Sequence, residues 1–183
     1  SAIIEPGASA VLDALARGRK HALVFFDPNA RPSIMGEPAV ALVSLERFIA
    51  LADVVKVSDE DIEWLTGGVP IDKVVDRWLG MGPSLVVVTR GKHGSDVATA
   101  SGVRFTKTPS DVKVVDTVGA GDSFMGGMID AMWGMGLRGA DARETLSALP
   151  EEQVRAIIDR ASAVSDVTVS RKGANPPWAH ELS

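Results

Sequence analysis

The chain has 183 residues, 45% hydrophobic and 23% charged, with a formal net charge of −5. That length suits one domain with a sizeable core, and the acidic balance offers no basic footprint for nucleic acid or an anionic membrane. No residue is cysteine, which excludes disulfides, thiolate nucleophiles and Cys-type zinc sites and fits a cytoplasmic location.

Read in order, "PGASAVLDALARG" has helical apolar spacing at Val11, Leu12 and Leu15, with Gly18 as a stop, and "HALVFF" follows as a short apolar strand. "AVALVSLERFIALA" is again helical, and "DVVKV" is strand-like. "DEDIEWLTGG" and "IDKVVDRWLGMG" read as short helices closed by glycines, and "SLVVVTRG" reads as a buried strand. "DVATA" and "VRFTK", separated by Ser101-Gly102, form an antiparallel hairpin. "VKVVD" is a further strand ending at Asp116, "DSFMGGMIDAMWGM" a helix, and "EEQVRAIIDRASAV" a helix opening after Pro150. No apolar run approaches the roughly 20 residues of a membrane span, and no signal peptide is expected at the start. Helices alternating with strands predict an α/β fold: a mostly parallel sheet, helices on both faces, and an antiparallel edge hairpin.

Ligands in such sheets bind outside the carboxyl ends of the strands. Four turns should therefore gather there: "DPNARP", "KVSDED", "TRGKHG" and "DTVGAGD". In the last, Gly119, Ala120 and Gly121 leave backbone N–H groups open at a helix start, where the dipole favours an anion. Asp122 beside them suits a general base that deprotonates a hydroxyl as a phosphoryl group arrives. The same residues also suit a capped helix with no chemistry. A Walker A motif is absent. A literal GxGxxG, Gly134 to Gly139, follows a helix rather than a strand and reads as a helix end and turn, not a dinucleotide site. His21, His93 and His180 show no metal-ligand spacing. The four tryptophans read as packing residues, and Met125, Met128, Met132 and Met135 as core fillers at helical spacing.

Residues 116–124, "DTVGAGDSF", together with "FDPNARP", "ADVVKVSDEDIEWLTGG", "LVVVTRGKHGS" and "VTVSRKGANPP", resemble the ribokinase-like (PfkB-type) carbohydrate kinases, in the family's order and over nearly the whole chain. The resemblance implies a ribokinase-like fold and ATP-dependent phosphorylation of a sugar hydroxyl, with Asp122 as base and Gly119, Ala120 and Gly121 as anion hole. Thr89, Gly91 and Gly94 match the segment lining the nucleotide, and Ser162 a position that contacts adenine in some members. Ser58 and Asp61 stand where many members carry an Asn and a Glu near the γ-phosphate and Mg2+; as residues alone, they also read as a variant capping box. The "KVS" form favours the fructokinase-like branch, so fructose is the expected acceptor, with 2-keto-3-deoxygluconate or ribose as alternatives. Arg31 is the candidate sugar ligand, while Asp27, Pro28 and Asn29 read as a turn. Asp116 and the carbonyl of Val118 match a monovalent-cation (K+) site of some members, completed near Thr168, Arg171 and Gly173.

No segment matches the family's N-terminal strands, its β-sheet lid or its Gly-Gly-Asn sugar segment. The expectation is therefore a C-terminal, nucleotide-binding part of a kinase domain over 1–183, nearly inactive if it stands alone, since positioning supplies much of phosphoryl transfer. The expected partners are a small-molecule sugar and ATP, and the resemblance gives no oligomeric state. A non-catalytic nucleotide- or sugar-binding role is the alternative.

Overall fold

The computed structural model of the protein describes residues 3–182. Five strands form one sheet in the order β1-β2-β3-β4-β5: β1 (Phe25–Phe26), β2 (Val54–Ser58), β3 (Leu85–Thr89), β4 (Ser95–Thr99) and β5 (Arg104–Lys107). The first three are parallel, and β4 and β5 add an antiparallel hairpin at the edge.

The apolar runs of β2 and β3 are buried on both sides, and the period of two sorts their residues between two cores. Val54, Leu85, Val87 and Val97 pack against α6 (Ala120–Gly134), α7 (Ala142–Ser147) and α8 (Glu151–Val169). Val55, Val57, Val86, Val88 and Ala98 pack against α3 (Pro38–Ile49), α4 (Asp59–Thr66) and α5 (Ile71–Leu79), where Trp78 is fully buried. Two further helices, α1 (Gly7–Gly18) and α2 (Pro32–Met35), complete the set. Helices on both faces of a sheet with an edge hairpin are as the sequence predicts.

Four details differ. "VKVVD" joins no sheet: Val114 and Val115 are 57% and 56% exposed, and the amides of Val115 and Asp116 instead donate to the carbonyl of Val169 at 2.7 and 3.2 Å. An alternating apolar pattern becomes a strand only where a neighbouring strand offers a ladder, and none of the described residues offers one there. "HALVFF" contributes only Phe25 and Phe26 to the ladder. Of the tryptophans, Trp78 is buried, but Trp133 and Trp178 are exposed, Trp133 lying under the Arg138 guanidinium at 4.2 Å. Met128 and Met132 are buried and Met125 partly so, whereas Met135 at the helix end is 40% exposed.

Candidate active site

The parallel strands place Asp27, Ser58 and Thr89, the residues at or just past their carboxyl ends, along one edge of the sheet. The turns that follow are tied to one another. Ser58 Oγ accepts the Asp61 amide at 3.0 Å and so caps α4. Asp61 does not return the bond as a full capping box would; its Oδ1 accepts the Ala30 amide at 3.1 Å and straps the turn after β1. Asp27 closes that turn by accepting the Asn29 amide at 3.2 Å, and Asn29 has φ 43°.

The fourth turn meets them from above. Gly119 is the residue preceding α6, with φ 78° and ψ 2°, a conformation that disfavours any side chain. The Ala120 amide bonds back to the Thr117 carbonyl at 3.2 Å, while those of Gly121 and Asp122 have no carbonyl partner among the described residues. Lys56 comes up from β2 beneath this turn. Its ammonium pairs with Asp27 Oδ2 at 2.8 Å and stands 2.6 Å from where a Cβ on Gly121 would lie. Asp122 is exposed in the first turn of α6, its carboxylate without a hydrogen-bond partner among the described residues.

Beside the cradle an open cavity of about 170 Å³ lies, walled by Thr89, Gly91 and Gly94 on one side, Ala120, Gly121 and Phe124 on another, and Ser162 on a third. The cavity thus joins three groups that the sequence placed apart: the "TRGKHG" turn, the glycine hinge and α8.

Residues 2–181 match the pfkB family of carbohydrate kinases. The chain belongs to that family. It is 35% identical over 181 residues to the probable fructokinase-4 of Arabidopsis thaliana, covering 96% of this chain and 52% of that one. The aminoimidazole riboside kinase of Salmonella enterica, solved with aminoimidazole riboside and an ATP analog, superposes with TM-score 0.78 at 26% identity, over 99% of this chain and 58% of the other. A fructokinase double mutant from Vibrio cholerae O395, solved with fructose, ADP and potassium ion, gives TM-score 0.76 at 28% identity, over 94% and 53%. The chain spans 36%, 51% and 52% of the length of three curated relatives that it matches, the fructokinase of Rhizobium leguminosarum bv. trifolii and the probable fructokinases 2 and 4 of Arabidopsis thaliana. The fold is ribokinase-like.

Other positions in this pfkB-family chain sit as follows. Both oxygens of Asp116 accept amides, from Val118 at 3.0 Å and Gly173 at 2.8 Å. These bonds, Val118 first, hold the carboxyl below its ordinary value. Asp116, Val118 and Gly173 are therefore together, while the Thr168 carbonyl accepts the Arg171 amide at 3.2 Å and Arg171 pairs through its side chain with Glu181. Arg31 is exposed, and its guanidinium folds onto the carbonyls of Asn29 and Ala30, outside the cavity wall. Among the described residues, no cluster of three or more His, Cys, Asp or Glu side chains is arranged to hold a metal, and no helix is long and apolar enough to cross a membrane.

Several wall residues escaped the sequence reading: Lys107 to Ser110, Ser165, Asp166 and Ser95. The Ser95 hydroxyl is buried with no hydrogen-bond partner among the described residues, an unspent donor in the cavity wall. The Lys56–Asp27 pair was missed too. Its one signal was a lysine inside an otherwise apolar strand.

Proposed function

We propose that this chain carries the nucleotide site and the general base of an ATP-dependent sugar kinase whose acceptor is fructose. The observation that carries the reading is the shared wall: Ala120 and Gly121 of the cradle line the same cavity as Thr89, Gly91 and Gly94, and the next residue is the exposed, unpaired Asp122. Similarity to fructokinases over 96% of the chain supports the choice of acceptor.

ATP occupies the cavity with its base toward Ser162 and its phosphates toward the open amides of Gly121 and Asp122. Asp122 takes the proton of the sugar hydroxyl as the oxygen attacks the γ-phosphorus; the β–γ bridging P–O bond breaks, and ADP leaves. The amides, fixed before the reaction, hold charge on the transferring group without reorganising. Magnesium enters as part of the nucleotide substrate, since Asp27 and Asp61 are spent on Lys56 and on the Asn29 and Ala30 amides. Potassium would sit at Asp116 with nearby carbonyls, next to the cradle and tuning it electrostatically. The chain's proposed setting is the cytoplasm, and the whole of 1–183 belongs to the kinase domain.

A second reading is nucleotide binding without turnover, which needs the cavity and its open amides but no base. ADP release from ATP and magnesium, with and without potassium and D-fructose, separates the two. Fructose-dependent ADP supports the kinase. ADP that depends instead on ribose or 2-keto-3-deoxygluconate reassigns the acceptor. No ADP with any sugar, from a folded sample that binds ATP, favours the second reading.

A further inference from the structure

Lys56 is the least expected residue in the sheet. Its strand neighbours Val54, Val55 and Val57 are fully buried, and Lys56 itself is 5% exposed. Desolvating an ammonium is expensive, and an ion pair placed there is often no better for stability than apolar residues of the same volume. Its location makes the position harder still. The ammonium lies against Gly121 in the first turn of α6, a helix of 15 residues, whose N-terminus already carries partial positive charge. Asp27 offsets part of this with one 2.8 Å contact. Two like-signed sources facing one point conflict in the empty protein and agree once an anion stands over the amides. Local conflicts of this kind are expected at functional sites.

We propose that Lys56 is a positioning residue for the phosphoryl group: its buried ammonium charges the floor of the Gly119–Gly121 cradle, and Asp27 holds it there. The inference deepens the kinase reading and rests on its assignment of residues 119–121 as an anion cradle. Gly121 follows from the same arrangement, because a Cβ would fall 2.6 Å from Nζ and 3.6 Å from Cε. The glycine is needed for the lysine below as well as for the ligand above. Lys56 acts through the backbone of Gly121 and through its field.

The test titrates inorganic tripolyphosphate into the ¹⁵N-labelled chain and follows the amide resonances of Gly119, Gly121 and Asp122. Lys56→Met is compared with the double variant Lys56→Met/Asp27→Asn, which removes the pair while leaving no lone carboxylate. The double variant should regain most of the melting temperature lost by the single one, yet both should bind tripolyphosphate at least about tenfold more weakly, as expected for loss of a charge-assisted interaction. A purely structural lysine predicts the opposite: affinity returning with stability. Unchanged affinity in the double variant overturns the proposal, and so does an unaltered chain whose cradle amides do not respond. If tripolyphosphate binds as predicted but ATP does not enter the cavity, the kinase reading fails while the role of Lys56 in anion binding stands.

Discussion

Asp122 owes its proposed role to its place in the chain: it follows amides that have no carbonyl to bond, it is exposed, and no neighbour holds its carboxylate. Asp122→Asn should keep the fold and nucleotide affinity and lose turnover by about 10²–10⁴, the usual worth of a general base; a variant with near-normal turnover would show that the base lies elsewhere. Asp27 gives a prediction in pH. Burial raises its carboxyl above the ordinary 3.8, with Asp61 adding to the rise, while Lys56 and the Asn29 amide pull it back. The folded state then takes up a proton before the unfolded chain does. Stability from this group therefore grows as pH falls from the raised value toward 3.8 and is absent above the raised value. A carboxyl titration followed by carbon NMR should place the Asp27 midpoint above 3.8; a midpoint below it would mean that Lys56 outweighs burial. The glycine hinge and its acid were legible in the sequence because small residues before a helix have few uses. The Asp27–Lys56 pair was not, since its partners are 29 residues apart and meet only through the β1–β2 register.

At the scale of elements, the strands whose apolar runs are buried on both faces were readable, as was the β4–β5 hairpin from its turn. The failure at residues 112–116 is instructive: the pattern was that of a strand, but pairing is a property of two segments and only one could be read. Helix α7 went unread because only Ala142 and Leu146 in it are buried, too few to set a period. Yet α7 supplies Arg143, which binds both oxygens of the fully buried Asp53 at 2.5 and 3.1 Å and the carbonyls of Arg19 and Ala22, clamping the start of β2. Arg143→Met should cost about 3 kcal/mol in urea denaturation, the low end for breaking a buried pair, since Arg19 still reaches Asp53. A loss well under about 1 kcal/mol would mean the contact is worth no more than a surface pair. Helices α6 and α8 touch at Gly127, where a Cβ would fall 2.7 Å from the Cα of Ala161. Gly127→Val should therefore lower stability by about 1–3 kcal/mol, the range for overpacking. An unchanged midpoint would mean that the two helices are not held so close.

For the whole molecule, the arrangement gathers the proposed phosphoryl-transfer residues on a single sheet edge. Three strand ends and one helix start converge there, and the cavity beside them is lined by the turn after β3, the hairpin, the start of α6 and α8. Family membership covers residues 2–181, so the sheet, its helices and its loops belong to one kinase framework. The acceptor is the less constrained half of the reaction: relatives named as fructokinases and a kinase solved with a riboside share this framework, and Arg31, the one sugar ligand proposed, turns its guanidinium onto its own loop. The proposed nucleotide half is tied to named residues of one cavity. The most direct measurement is a titration of this chain with Mg·ATP, followed through backbone amide resonances. Saturable shifts concentrated at Gly91, Gly94, Gly119, Gly121 and Ser162 are the predicted result. A folded chain that shows no saturable shift, or shifts confined to residues remote from that cavity, would contradict it.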